Sequence, residues 1–238
     1  MSREMCYRCF WPMPMCWCSS LRPMATDTQF LFLMHPKEFK QEKAATGRLT
    51  HLCLERSEIQ VGVEFDQHPL VQARLRDERF FPMLLYPGVN TRNVSAGQLA
   101  PADLGGRTLL VILLDATWSC ARKMLKLSPS LQALPRITFT PETAISRYVI
   151  KQQPQEGCLS TLEATHELLL ALEKSGLDRY ADPTQLLSVF ARMQTVQLQC
   201  AADPERAGYR RTPTRPVADR VTTQSRQTGS RRNCFIPR

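Results

Sequence analysis

An aliphatic run at residues 109–114 constrains the fold of this 238-residue chain more than any other stretch. The run shows no alternation of polar and apolar side chains, which is typical of a strand buried on both faces of a parallel or mixed sheet. It ends at Asp115, and open α/β sheets bind ligands at the carboxyl ends of their strands. The segment 119–127 that follows predicts a helix, so we expect a ligand site at this junction.

Other apolar segments predict strands and helices in alternation along the chain. Such alternation favours an α/β sheet domain over a helical bundle or a β-sandwich. The helical segment 37–54 is expected to break near Gly47, and the last helix carries an apolar stripe that belongs to the core. Beyond the central strand, we expect strands at 30–34, 58–65, 81–86 and 135–141, and helices at 37–54, 159–174 and 183–200.

Four of the nine cysteines lie within residues 6–18. Cys6 and Cys9 are spaced C-x2-C, and Cys16 and Cys18 are spaced C-x-C, which allows four thiolates to converge on a tetrahedral Zn²⁺. An iron–sulfur cluster and a redox dithiol are the alternatives. Because four protein ligands leave no open coordination position, we expect a structural zinc rather than a catalytic one.

The chain is basic, with 31 Lys+Arg against 22 Asp+Glu and a net charge of +9. This balance favours a polyanionic partner, with nucleic acid first and an anionic membrane surface second. The segment 203–238 alone holds nine arginines against three acidic residues. A segment of this composition buries too little to order itself, so it predicts a flexible tail that contacts phosphates. A solvated tail with no partner is the alternative.

The placement of the cysteines and the start of the chain bear on location. Clustered cysteines suit a metal site in a reducing cytosol better than a secreted disulfide framework. The chain does not begin with a signal-like apolar segment, and no apolar run approaches the length of a membrane span. We therefore expect a cytoplasmic protein that has neither a membrane association nor an obligate protein partner.

The start of the helix at 159–174 carries a local signature of its own. Ser160 and Glu163, three residues apart, form a capping-box pattern, and such a cap stabilises a helix by about 1 kcal/mol. A helix N-terminus also offers free backbone N–H groups to a carboxylate or a phosphate. The pattern alone favours a cap, although a cap and a ligand site can coexist.

Five motifs, in the same order along residues 6–164, resemble the DTW-domain family. The central motif is Asp115-x-Thr117-Trp118, and it continues into Ala-Arg-Lys-Met at 121–124. The sequence departs from the family's pattern at Cys158 and in the tail, which resembles the family only faintly at 231–235. The other four motifs are the cysteine set Cys6, Cys9, Pro12, Cys16 and Cys18, the set His35, Pro36 and Glu38, the turn Leu85-Tyr86-Pro87, and the helix start Leu-Ser-Thr-Leu-Glu-Ala at 159–164.

The resemblance implies a fold and an activity. Similar bacterial members are tRNA-uridine aminocarboxypropyltransferases, which transfer the 3-amino-3-carboxypropyl group of S-adenosylmethionine to N3 of a variable-loop uridine and release methylthioadenosine. The implied fold is α/β and SPOUT-like, with a mixed sheet flanked by helices and a knotted loop that holds the cofactor. A zinc knuckle at 1–24 would precede a DTW catalytic domain at 25–202 and the basic tail at 203–238. The alternatives are an RNA methyltransferase that uses the same cofactor and a non-catalytic zinc-knuckle RNA-binding protein.

The resemblance also suggests roles for single residues. Asp115 accepts the uridine proton or binds the cofactor's ammonium group, and Thr117 positions Asp115 or the cofactor. Trp118 stacks on the uridine or packs beneath the loop, and packing is favoured because a buried tryptophan is common. His35 and Glu38 line the site or close a strand.

Two larger sets complete the expected site, and tRNA is the expected substrate. The residues expected to bind the cofactor are Tyr86, Pro87, Leu114, Leu159, Ser160, Thr161 and Glu163. The residues expected to contact tRNA phosphates are Arg122, Lys123, Arg210, Arg211, Arg231 and Arg232.

Overall fold

The computed structural model describes residues 4–41, 46–141 and 158–202, and within these ranges a six-stranded sheet is flanked by helices. The α/β class expected from the alternation of elements is confirmed. The strands are β1 Gln29–Met34, β2 Ser57–Val61, β3 Phe80–Leu85, β4 Thr91–Asn93, β5 Thr108–Asp115 and β6 Arg136–Thr138. The helices are α1 Pro36–Gln41, α2 Thr46–Cys53, α3 Pro69–Arg76, α4 Trp118–Lys126, α5 Pro129–Gln132, α6 Thr161–Lys174 and α7 Pro183–Ala202.

Every strand pair in the sheet is parallel, and the strand order is β2-β1-β5-β3-β6-β4. The prediction of a mixed sheet was therefore wrong. Helices lie between β1 and β2, between β2 and β3, and between β5 and β6, and such crossovers return the chain to enter the sheet in the same direction. The connection 86–90 joins β3 to β4, which lie on opposite sides of β6.

The aliphatic run forms the central strand, as predicted. β5 lies between β1 and β3, and the side chains of its residues from Leu109 to Leu113 are at most 3% exposed. The register pairs Met34 with Asp115 and Leu84 with Ile112. Asp115 therefore lies at the carboxyl edge of the sheet, directly beside the end of β1.

Successive side chains of the strands point to opposite faces of the sheet and pack in two hydrophobic layers. Phe32 and Val111 face the layer that contains α2, α6 and α7. Leu33 and Ile112 face the layer that contains α3, α4 and α5. The fold is thus a three-layer α/β/α arrangement whose strands are covered on both sides.

The N-terminal segment packs onto the first of these layers. Trp11 and Trp17 are 3% and 2% exposed, and their ring centroids lie 4.1 Å apart. Both rings belong to the same core cluster as side chains of α6 and α7. The cysteine segment therefore shares a hydrophobic core with the α/β sheet.

Most expected elements lie where the sequence predicts them, with three exceptions. α3, α5 and β4 are short elements that the patterns did not predict. Gly47, near which the segment 37–54 was expected to break, lies within α2, and residues 42–45 between α1 and α2 lie outside the described residues. The predicted stripe on α7 is buried at Leu186, Phe190 and Met193. Among the described residues, no helix combines the length and the apolarity needed to cross a membrane.

Candidate active site

The carboxyl edge of the sheet brings together residues that are far apart in the sequence. The hydroxyl of Thr161, at the start of α6, donates a hydrogen bond of 2.5 Å to Oδ1 of Asp115. The backbone N–H of His35 donates to the carbonyl oxygen of Asp115 at 3.0 Å. Asp115 itself is only 6% exposed. The start of α6 thus bonds the buried carboxylate on β5, and the end of β1 bonds the Asp115 backbone, at the edge where α/β folds place their ligands.

Gly47 is a site residue that the sequence reasoning missed. A Cβ atom added at Gly47 would lie 2.4 Å from Oδ2 and 2.6 Å from Cγ of Asp115. The first turn of α2 therefore approaches the carboxylate so closely that only glycine fits. A glycine inside a helix costs about 1 kcal/mol relative to alanine, and this cost is the signal that points to a close backbone approach.

The capping box predicted at the start of α6 is present. The backbone N–H and the hydroxyl of Ser160 donate to Oε2 of Glu163 at 2.9 and 2.7 Å, and the N–H of Glu163 donates back to the Ser160 hydroxyl at 3.3 Å. The hydroxyl proton of Ser160 is thereby used within the cap. An anion at this helix end would be held by backbone N–H groups of the first turn instead.

The motif residues after Asp115 form the start of α4. The Thr117 hydroxyl accepts a hydrogen bond of 3.4 Å from the backbone N–H of Cys120, so Thr117 caps this helix. The half-buried Trp118 ring lies 6.0 Å from the ring of Tyr86, centroid to centroid, and packs against the core. Trp118 therefore contacts the core, and stacking on the uridine stays a prediction.

The remaining residues expected to bind the cofactor lie close to this edge of the sheet. Arg136 lies over the Tyr86 ring and donates a hydrogen bond of 3.3 Å to the carbonyl oxygen of Pro87. Leu114 and Leu159 are half-buried, and they pack against the two opposite hydrophobic layers. The sheet edge therefore gathers polar groups around Asp115 and aromatic groups around Tyr86.

Burial and two nearby positive charges act on the imidazole of His35. Burial lowers the pKa of His35, and the positive charges of Lys37 and Lys123 lower it further. Its Nδ1 accepts a hydrogen bond of 3.1 Å from the backbone N–H of Lys37, so the neutral ring carries its proton on Nε2. In this tautomer Nε2–H is the hydrogen-bond donor of the His35 ring.

The basic residues expected to meet tRNA are only partly described. Arg122 and Lys123 are exposed on α4, near the carboxyl edge. The four tail arginines lie outside the described residues.

The predicted cysteine cluster is present and has the geometry of a metal site. The four Sγ atoms of Cys6, Cys9, Cys16 and Cys18 lie within 4.8 Å of one another. The pairs Cys6–Cys18 and Cys9–Cys16 are 3.7 Å apart. A tetrahedral Zn²⁺ with Zn–S bonds of about 2.3 Å requires sulfur–sulfur separations of about 3.8 Å, whereas a disulfide requires about 2 Å. The donor set therefore fits zinc.

The pKa shifts of the cysteine thiols differ in direction. Backbone hydrogen bonds, first from Cys9 and then from Arg8, lower the pKa of Cys6 to about 6. Burial raises the pKa of Cys9 and of Cys18. A cation would offset that cost, since metal binding releases the protons of its thiol ligands.

Comparison with known proteins decides the family. The sequence profile of the DTW domain matches residues 3–198. The chain belongs to the DTW-domain family. The Asp-Thr-Trp set of this DTW protein occupies the end of β5, the cap of α4 and the first residue of α4. The three eponymous residues thus form one continuous turn at the carboxyl edge.

Curated relatives carry a common name. The chain is 33% identical to tRNA-uridine aminocarboxypropyltransferase 2 of Drosophila melanogaster over 177 residues, which cover 72% of this chain and 67% of the relative. It is 30% identical to the Mus musculus protein of the same name over 207 residues, covering 84% and 68%. Identity to tRNA-uridine aminocarboxypropyltransferase A of Arabidopsis thaliana is 24% over 219 residues, or 83% of each chain. No solved structure matches this DTW chain.

Proposed function

We propose that this DTW protein is a tRNA-uridine aminocarboxypropyltransferase that uses S-adenosylmethionine. The observation that carries the proposal is the Asp115 carboxylate, which is buried at the carboxyl edge of β5 and bonded by Thr161 from the start of α6. The names of the curated relatives support the same activity. The family membership and the site chemistry make an RNA methyltransferase or a non-catalytic RNA-binding protein the weaker alternatives.

The reaction makes two demands on the protein. Uridine N3 attacks the γ-carbon of the methionine moiety, the bond from that carbon to sulfur breaks, and methylthioadenosine leaves as a neutral thioether. The leaving group therefore needs no acid, but the proton of N3 must be accepted. The protein must orient the aminocarboxypropyl arm toward the base and take that proton.

Asp115 is the proposed proton acceptor, and binding the ammonium group of the cofactor is its other proposed role. The hydroxyl of Thr161 fixes the orientation of the carboxylate. Thr117 supports the turn by capping α4, and Trp118 flanks the site from the first residue of that helix. These residues would hold the reacting groups in line while the low exposure of Asp115 limits competition from water.

The cofactor would lie along the carboxyl edge. Backbone N–H groups in the first turn of α6, held in place by Ser160 and Glu163, suit its carboxylate. The half-buried Tyr86 and Pro87 and the aliphatic Leu114 and Leu159 suit its apolar parts. When bound, S-adenosylmethionine supplies an activated carbon–sulfur bond.

We also propose that three segments of the chain have separate roles and that the fold is SPOUT-like and knotted. Residues 1–24 would hold a structural zinc, residues 25–202 would form the catalytic domain, and residues 203–238 would bind tRNA phosphates together with Arg122 and Lys123. Truncation after residue 202 should weaken tRNA affinity and flatten its salt dependence. If the truncated and the full chain have equal salt slopes, the tail does not take part in tRNA binding. The cytoplasmic location rests on the clustering of the cysteines, because thiols persist in a reducing compartment.

Mass analysis of tRNA nucleosides from cells that lack this protein tests the function. The 3-amino-3-carboxypropyl uridine at N3 should disappear and should return with the wild-type chain. Asp115→Ala should fail to restore it while retaining nearly all of the tRNA binding, and Asp115→Asn provides a control of similar volume. Persistence of the modified uridine in the deletion strain would reject the function.

A further inference from the structure

Arg48 is a buried arginine that the proposed reaction does not use. It follows Gly47 in the first turn of α2 and is only 8% exposed. Its Nη2 donates a hydrogen bond of 2.8 Å to the carbonyl oxygen of Phe39, while its Nε is buried without a hydrogen-bond partner among the described residues. Burying a guanidinium costs several kcal/mol unless nearby groups compensate, so its surroundings indicate what it does.

Two aromatic rings enclose the guanidinium. Its central carbon lies 4.4 Å from the ring centroid of Phe10 and 4.9 Å from that of Phe39. The two rings are 6.0 Å apart and meet edge to face. Cation–π contacts of this kind contribute about 0.5–2 kcal/mol each. Phe10 belongs to the cysteine segment and Phe39 to α1, so Arg48 contacts both the knuckle and the sheet domain.

Two ionisable groups act on the charge of Arg48. Burial lowers the pKa of Arg48, whereas Asp115 and, to a smaller extent, Cys9 raise it. Gly47, the preceding residue, holds its backbone against the same Asp115 carboxylate. The start of α2 therefore abuts the proposed catalytic carboxylate at Gly47 and contacts the cysteine segment where Arg48 meets the Phe10 ring.

The backbone of the knuckle directs Phe10 toward Arg48. Phe10 has a φ of +59°, which is unfavourable for a residue with a Cβ atom, by roughly 1–2 kcal/mol. Its N–H donates a hydrogen bond of 2.7 Å to the carbonyl oxygen of Cys6, which stabilises the turn between the cysteine pairs. Tyr7, in the same turn, is 91% exposed and takes no such position.

We propose that Arg48 is a positioning residue that holds the first turn of α2, and with it Gly47, against the Asp115 carboxylate, and that the metal-bound knuckle holds Arg48 in place through Phe10. The knuckle then has a second role beyond stabilising the fold, because it controls the geometry of a site formed by other segments. The test of this inference by enzyme activity rests on the proposed function, whereas its test by thermal unfolding does not.

The activity test compares variants of the full chain loaded with zinc. Phe10→Ala should lower kcat about tenfold, in line with the loss of one cation–π contact, and should leave the zinc content and the KM for tRNA unchanged. The matched variant Tyr7→Ala should stay within twofold of the wild type. Arg48→Met should lower kcat about a hundredfold, because misplacing a catalytic group by about 1 Å has effects of that size, and Arg48→Lys should recover part of the loss.

The unfolding test does not require turnover. We expect Phe10→Ala to lower Tm in the wild-type background and to have less than half that effect in the Arg48→Met background, because the contact has already been lost. If the Tm shifts of the two substitutions are additive, the proposed link between Phe10 and Arg48 is wrong. Equal kcat values for Phe10→Ala and Tyr7→Ala would contradict it as well. If Arg48→Met does not fold, the cycle is run with Arg48→Gln, which also removes the cation, and an additive result there overturns the proposal in the same way. A wild-type chain without transferase activity rejects the proposed function alone, since the Tm cycle still decides the link.

Discussion

The cysteine knuckle and the carboxyl-edge site are built in opposite ways. All four knuckle ligands lie between Cys6 and Cys18, and their Sγ atoms lie within 4.8 Å of one another. The edge site draws on α2, β5 and α6, and its shortest contact joins Thr161 to Asp115, 46 residues apart. A metal can organise a short segment directly, whereas a carboxylate on a strand must be organised by distant elements that the whole fold brings together.

This difference predicts how each region responds to damage. Loss of the metal should release a local constraint and, through the buried Trp11 and Trp17, part of the core. Substitutions at the carboxyl edge should leave the fold intact and disturb only the position of the Asp115 carboxylate. The variants below would sharpen or break this distinction.

Removal of the metal should have the largest effect. Structural zinc contributes about 10–16 kcal/mol of apparent binding free energy in small zinc domains, so Cys9→Ser should release the metal and lower Tm by more than 10 °C. Elemental analysis should find one zinc per wild-type chain. Cys120→Ser, in α4 and outside the cluster, is the matched control and should retain the metal. A folded wild-type chain without metal would contradict this account of the knuckle.

Gly47→Ala should abolish most of the turnover while leaving the zinc in place. The new Cβ would overlap the Asp115 carboxylate, because the available distance is only 2.4 Å. A displacement of the carboxylate by about 1 Å should lower kcat about a hundredfold. Steady-state kinetics with parallel metal analysis checks this expectation. A variant with wild-type kcat would show that turnover does not depend on the position of the Asp115 carboxylate. Asp115 would then have no part in the reaction.

The two regions also differ in how much of them the sequence predicts. The knuckle ligands follow from spacing within a few turns of chain, and the capping box at Ser160 follows from a four-residue pattern. The position of Asp115 follows from the aliphatic run before it. The approach of Gly47 and the bond from Thr161 do not follow from any local pattern, because they depend on how α2 and α6 pack on the sheet. The direction of the strands depends in the same way on the crossovers, which is why the mixed-sheet prediction failed.

Thr161→Val should have an intermediate effect. The substitution keeps the shape of the side chain but removes the hydroxyl that donates to Asp115. Hydrogen bonds to charged groups contribute about 1.5–3 kcal/mol, so kcat should fall by about 10- to 100-fold. Thr195→Val is a suitable control, because that hydroxyl bonds only a carbonyl of its own helix at 3.0 Å. Equal kcat values for the two variants would show that Thr161 does not orient the carboxylate.

Ser160→Ala should have the smallest effect of the four. Loss of the cap should cost about 1 kcal/mol, which lowers Tm by about 2–4 °C in a chain of this size. The KM for S-adenosylmethionine should rise only about twofold, because backbone N–H groups rather than the hydroxyl face the anion. Ser188→Ala, within α7, should not lower Tm. A tenfold rise in KM would instead assign the hydroxyl itself to the cofactor.

The measurement that tests the central claim most directly is the identity of the small-molecule product. Purified zinc-loaded protein is mixed with S-adenosylmethionine and unmodified tRNA, and both the nucleosides and the cofactor products are analysed by mass spectrometry. The account predicts one methylthioadenosine for each N3-modified uridine, and loss of both in Asp115→Ala. Formation of S-adenosylhomocysteine with a methylated nucleoside would contradict it.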